Sequence, residues 1–166
     1  IEAYQERGSA FRLKGDHSHA LESFLAGVKI ADKQENKGDL GVLYLNIGIL
    51  YARRGDDQKA IFNYQNAIPI LKAEDDSTNF ATVLENIGTL YNEKLAKPDS
   101  ALLFFKQSGD IYRGLGYKTG IAYNLGNVGL AYALKGENEL AEKNINQATV
   151  MLEELGDNFP ISVYLT

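Results

Sequence analysis

Asn46-Ile-Gly-Ile-Leu-Tyr-Ala-Arg-Arg-Gly-Asp56 is one of four near-copies of a single phrase. Arg7-Gly-Ser-Ala-Phe-Arg-Leu-Lys-Gly-Asp16 precedes it, and Asn86-Ile-Gly-Thr-Leu-Tyr91 and Asn127-Val-Gly-Leu-Ala-Tyr-Ala-Leu-Lys-Gly-Glu137 follow. The first glycine of each copy stands at 8, 48, 88 and 129, in steps of 40, 40 and 41 residues. A fixed period of this size marks an array in which each unit buries its apolar face against its neighbours. Such a protein works as a surface that holds something else.

Within each period, two apolar patterns of helical spacing are joined by a tight turn. The spacing predicts first helices over about 1–14, 39–54, 79–95 and 119–135. Second helices are predicted over about 17–34, 57–73, 98–113 and 138–155. Gly15-Asp16, Gly55-Asp56 and Gly136-Glu137 put glycine where a helix ends in a left-handed residue. An acidic residue then follows near the next N-terminus, where the helix dipole favours it. The third unit has Leu95-Ala-Lys-Pro98-Asp99 at this point, with no glycine and one extra residue, and Pro98 suits the first turn of a helix.

The four repeat glycines fall mid-helix, where glycine costs roughly 0.5–1 kcal/mol against alanine. Ala20, Ala60, Ala101 and Ala141 recur at a matched phase of the second helix. Glycine facing alanine is expected to let the two backbones approach closely. Phe11, Tyr51, Tyr91 and Tyr132, with Phe24, Tyr64, Phe105 and Ile145, are expected to fill the space between helix pairs. Pro69 lies inside a second helix, where a bend is expected.

The 166 residues are 45% apolar, within the range of ordinary globular chains. Absence of cysteine excludes disulfides, thiolate metal sites and cysteine nucleophiles, and suits either the cytoplasm or the periplasm. The net charge of −5, without a basic run, argues against direct nucleic acid contact by this segment. No apolar stretch is long enough to span a membrane. A chain that starts at Ile1 inside a helical pattern, and begins a new one at Asn158, is expected to continue at both ends. His17 and His19 stand two apart at a helix start, share no face and read as surface residues. No Ser–His–acid group, paired-carboxylate motif or phosphate-cradling loop is found, so the chain reads as non-catalytic, with no cofactor and no metal.

The recurring positions resemble the tetratricopeptide repeat. The match is carried by Tyr44-x-x-Ile47-Gly48-x-x-Tyr51 with Ala60, Tyr64 and Ala67, and by Leu125, Val128, Gly129, Tyr132, Ala141, Ile145 and Ala148. The common unit has about 34 residues, whereas this one has 40. The longer form, with Asn two residues before Gly, is similar to repeats of kinesin light chains, cell-polarity adaptors and bacterial peptide-sensing regulators. By texture it resembles most the sensor-side arrays of bacterial histidine kinases and transcription regulators. The resemblance implies an all-α fold, an α-solenoid wound as a right-handed superhelix. It would hold four helix-turn-helix units and the start of a fifth. A single array over 1–166 is expected, with units at about 1–38, 39–78, 79–118 and 119–156 and a further helix beginning in 157–166.

The resemblance also implies an inner wall of first helices as the binding surface. The partner-binding candidates there are Asn46, Asn86 and Asn127, with Ile49, Arg53, Thr89, Asn92, Glu93, Tyr123 and Leu130. Gln5, Ser9 and Arg12 extend the wall into the first unit, where Glu6 breaks the asparagine row. A side-chain amide both donates and accepts, so a row of them can hold the backbone of an extended peptide. The alternative is that each Asn bonds an adjacent helix or sits in solvent. Val42, Leu45, Ile49, Leu130 and Leu134 read either as an apolar groove or as residues half-buried between units. Glu85 and Glu93 with Glu6 read either as an acidic patch or as ordinary solvated charges. The expected function is a scaffold for a protein or peptide partner, within a bacterial signalling or regulatory protein. Self-assembly through the terminal units, as a homodimer, is the alternative, as is a small-ligand sensor.

Overall fold

The computed structural model describes residues 1–157, so the helix expected to begin at Asn158 lies outside the described residues. Among the described residues the chain forms eight helices and no strand. They are α1 (Glu2–Leu13), α2 (His17–Lys33), α3 (Lys37–Arg53), α4 (Asp57–Ala73), α5 (Ser77–Glu93), α6 (Pro98–Gly114), α7 (Lys118–Lys135) and α8 (Asn138–Glu154). The fold is all-α, an α-solenoid of helical hairpins. It forms two compact units, Ile1–Val83 and Leu84–Thr166.

The turns follow from backbone chemistry. Gly15, Gly55 and Gly136 have φ of +77°, +76° and +77°, the left-handed conformation that glycine adopts without strain. In the third repeat Ala96 takes the same conformation with φ of +49°, at a steric cost that glycine would not carry. Pro98 opens α6 at its first turn. α4 runs through Pro69, which is exposed, without interruption.

Helices α3 and α5 begin two residues earlier than the apolar pattern predicts. Polar side chains are the reason. Asn36 accepts a hydrogen bond from the Asp39 amide at 3.2 Å and donates to the Asp39 carboxylate at 2.7 Å, closing a reciprocal cap. One period later Asp76 accepts both bonds of the cap, from the Asn79 backbone amide at 3.1 Å and from Asn79 Nδ2 at 2.7 Å.

The repeat glycines do not face alanine as their nearest neighbour, contrary to the expectation from sequence. A Cβ on Gly8 would stand 2.5 Å from the Phe24 ring, and one on Gly88 would stand 2.6 Å from the Phe105 ring. At Gly48 the obstruction is the Tyr64 ring. Each glycine is the floor of a socket for the aromatic residue four positions after the alanine. In the fourth copy the socket holds Ile145, and a Cβ on Gly129 would stand 2.6 Å from its Cγ1 and 3.1 Å from the Ala141 carbonyl. Phe24, Tyr64 and Phe105 are at most 1% exposed. Full burial of one such ring stabilises by about 2–3 kcal/mol.

Around these sockets the first unit builds a core of Phe24, Leu43, Ile47 and Leu50, with Phe11 and Tyr51 packed against it. The second unit has a smaller cluster of Ala101, Phe105 and Ala131, flanked by Tyr91, Leu102 and Val128.

Candidate functional site

The first-helix wall of the first unit consists of α1 and α3. Gln5 ties them together by donating from Nε2 to Asp39 Oδ1 at 3.1 Å. On α3, the Asn46 amide donates at 3.0 Å to the Val42 carbonyl one turn back in its own helix. This side-chain-to-backbone bond takes up one of the amide's two hydrogens. Ile49 is half-buried and Arg53 is exposed in the last turn. Leu45 is buried and Val42 half-buried.

Arg12, on α1, is half-buried, and its Nε has no acceptor among the described residues. Burial holds the Arg12 guanidinium below its ordinary pKa, and the neighbouring Arg53 charge adds to the effect. The Tyr64 hydroxyl, fully buried, also lacks a partner among the described residues. Burial raises its pKa, while the Arg53 charge opposes the rise.

The wall of the second unit is made by α5 from Leu84 onward and by α7. Asn127 donates from Nδ2 to Glu85 Oε1 at 3.0 Å. Thr89 donates to the Glu85 backbone carbonyl at 3.1 Å. Asn86 and Leu130 are half-buried and Glu93 is exposed. Asn92 is buried, with its Oδ1 unpartnered among the described residues. Tyr123 donates to Asp157 at 2.9 Å, and burial together with that carboxylate pushes its phenol up to about 12. Leu134 is exposed.

Glu85 corrects the reading of an ordinary solvated charge. Its carboxyl is pushed up to about 7 by burial, against hydrogen bonds from Asn127, Tyr112 and Asn124 that favour the ionised form. Asn124, buried, donates at 2.9 Å both to the Phe105 carbonyl and to Ser108 Oγ. Ser108 in turn donates to the Phe105 carbonyl at 3.1 Å. A polar seam of Glu85, Asn127, Asn124, Tyr112 and Ser108 therefore runs through this unit.

The signal for that seam lay in the repeat alignment. Asn124 stands where the copies before it have Leu43 and Val83. Ser108 stands where others have Gly27, Ala67 and Ala148, and Tyr112 where others have Ala31, Leu71 and Leu152. Three core positions turn polar together where the third and fourth copies meet, two on α6 and one on α7. Each change is unremarkable alone.

His19 is exposed, stacks on Phe11 at 5.1 Å between centroids, and bonds Asp16 through Nδ1 at 2.7 Å. No helix of the described residues is long and apolar enough to cross a membrane.

Curated relatives include Photosystem I assembly protein Ycf3 of Prochlorococcus marinus and of a Synechococcus strain. Each is 27% identical over 115 residues, covering 66% of this chain. The chain spans 61% of the length of these relatives. Among solved structures, BtubC from P. vanneervenii superimposes with a TM-score of 0.78 at 17% identity, over 92% of this chain and 63% of that one. MamA gives a TM-score of 0.53 at 19% identity, over 95% and 94%. These structures share the fold. The family profile described as SNAP, soluble NSF attachment protein, matches residues 1–158, and with helical hairpins of tetratricopeptide type along that length the chain belongs to the SNAP family.

Proposed function

We propose that this chain is a non-catalytic scaffold that takes up a peptide or protein segment along the first-helix walls of its units. The contacts would come from Asn46, Ile49 and Arg53 in the first unit. In the second they would come from Asn86, Thr89, Asn92, Glu93, Tyr123, Asn127 and Leu130. One observation carries the reading. Both walls hold buried polar atoms without a partner among the described residues, Arg12 Nε in one and Asn92 Oδ1 in the other. Buried groups of this kind are rare in folded proteins, and each calls for a missing partner. The backbone and side chains of a bound polypeptide supply donors and acceptors of both kinds.

The relatives' name supports work in assembly, in which a scaffold holds another protein. Membership of a bacterial signalling or regulatory protein rests on repeat texture alone, and the assembly reading is preferred because it comes with aligned residues. Selection from a displayed random-peptide library, followed by fluorescence anisotropy on the selected peptides, tests the scaffold. Binding at one peptide per chain, weakened by Ile49→Asp or Leu130→Asp with circular dichroism unchanged, is expected. Failure to select any peptide, or binding indifferent to both substitutions, overturns it.

A second reading, self-association as a homodimer, is favoured by Leu140, Val150 and Leu155, which are exposed on and just after α8. Sedimentation across a range of concentrations separates the two: a monomer throughout removes the second.

A further inference from the structure

The second unit has a groove of about 340 Å³ between α6 and α7. Its lining includes Leu103, Lys106 and Arg113 of α6 and Leu125, Val128 and Tyr132 of α7. On α7 these residues stand two places from the wall positions Tyr123, Asn127 and Leu130. Two places turn a helix by about 200°, so the groove and the wall lie on opposite faces of α7.

The lining is apolar with a cationic border. Leu103 is 65% exposed, and Leu125, Val128 and Tyr132 are half-buried. Every charged residue of the lining is a cation, although the chain as a whole carries −5. Lys106 is exposed and makes no ion pair among the described residues. Arg113 spends Nη2 on Asp110 at 2.6 Å, in a surface pair of a kind that contributes little. Its remaining donors are left for a second carboxylate. Lys106 and Arg113 are seven residues apart, on one face of α6 and about 10 Å along its axis.

The first unit has a matching groove without this pair of cations. A cavity of about 470 Å³ there is lined in part by Tyr44, Ile47 and Tyr51 of α3. These stand at the same steps from Gly48 as Leu125, Val128 and Tyr132 do from Gly129. Counted from the matched Ala20 and Ala101, Leu25 stands in place of Lys106 and Asp32 in place of Arg113. Of the two grooves, only the second unit's is built to meet an acidic partner.

We infer that the α6–α7 groove is a second docking surface, and that its occupant is an amphipathic helix of a partner protein with an acidic edge. Apolar side chains of that helix lie over Leu103, Leu125 and Val128, and two carboxylates two turns apart meet Lys106 and Arg113. A helix suits the groove because α6 and α7 spend their backbone groups on their own hydrogen bonds. An extended segment would find no backbone edge to pair with, whereas a helix brings its hydrogen bonds with it. The inference does not depend on peptide uptake by the wall, since it uses the opposite face of α7.

The test uses a fluorescein-labelled helical peptide with a leucine stripe and, beside it, two glutamates two turns apart. Anisotropy is read on the intact chain, and the same peptide with lysines for the glutamates is the second arm. The glutamate peptide is expected to bind, and the lysine peptide to bind about a hundredfold more weakly. Lys106→Glu and Arg113→Glu, both at exposed positions, should each weaken the glutamate peptide about tenfold. Together they should reverse the preference, so that the lysine peptide binds the better of the two. Leu103→Ala should weaken either peptide about fivefold through lost apolar contact. Lys143→Gln, on exposed α8, should leave binding unchanged. No binding of the glutamate peptide, or a preference that survives the double reversal, overturns the proposal. So does binding that Ile49→Asp or Leu130→Asp abolishes and Lys106→Glu does not, which would give the peptide to the wall. Sedimentation of the chain alone covers the remaining occupant: self-association lost in Leu103→Ala would make the groove a contact between copies and would sink the inference. If library-selected peptides fail while the glutamate peptide binds through Lys106, the wall reading falls and the groove stands.

Discussion

Five residues before the repeat glycine, the first unit has Leu43 and the second has Asn124. Leu43 is fully buried against Gly27 of α2, and a Cβ there would stand 3.0 Å from it. Asn124 fills the matching place beside Ser108, donating to Ser108 Oγ and to the Phe105 carbonyl. The helix starts differ as well. In the first unit Asp16, Asn36, Asp56 and Asp76 each accept a bond from a backbone amide of the first turn. Lys97, Tyr117 and Glu137 of the second unit make no side-chain cap among the described residues. One repeat plan thus supports two kinds of interior. An apolar seam with closed helix starts relies on burial, and a polar seam with open ones relies on a completed hydrogen-bond network.

The largest test of that difference is Leu43→Asn, which puts the second unit's amide into the first unit's dry seam. The amide finds no Ser108 there, and a loss of about 4 kcal/mol in urea melts is expected. A loss below that of an ordinary surface change would mean that the seams are interchangeable. Next come Gly48→Ala and Gly88→Ala, one in each unit, which probe what the units share. Each methyl meets a buried ring, and about 3 kcal/mol should go in both cases. Unequal losses would show that the sockets, too, have diverged.

Glu85→Gln isolates the polar seam by pH. The Glu85 carboxyl lies at about 7 in the folded chain against 4.5 ordinarily, so its favourable contribution is complete below pH 4.5. That contribution fades as pH rises through about 7. The melting temperature of the native chain should therefore fall between about pH 4.5 and 7 and level off above, and that of Glu85→Gln should stay flatter, with the variant ahead by about 2 kcal/mol on the alkaline side. Parallel pH profiles would remove Glu85 from the seam.

Smaller effects attach to the helix starts. Asp56→Ala should cost about 1 kcal/mol and Tyr117→Asp should add a similar amount, both by chemical denaturation. Ala96→Gly, which relieves the left-handed alanine, should stabilise by about 0.5–1 kcal/mol. A neutral result there would place the strain elsewhere in the turn.

The hairpins were legible in the sequence because glycine spacing, turn glycines and apolar period all report local chemistry. Less of the wall was legible. Asn46 and Asn127 read alike, yet one bonds its own helix and the other reaches Glu85 on α5. That choice depends on what stands opposite, which a single copy of the repeat does not contain. The early starts of α3 and α5 were present in Asn36 and Asp76, but apolar periodicity is blind to polar caps. Glu85 looked like a surface charge because its hydrogen-bond partners Asn127, Tyr112 and Asn124 are distant in sequence.

The ring-over-glycine socket also constrains how such a chain can drift through descent. A side chain at Gly48 is obstructed while Tyr64 keeps its ring, and a smaller residue at 64 leaves a void above the glycine. The two sites should therefore covary, changing as a pair or staying put. The fourth copy has made half of that move, with Ile145 in place of the ring. Its glycine has not been freed, because a Cβ there would still stand 2.6 Å from Ile145 Cγ1 and 3.1 Å from the Ala141 carbonyl.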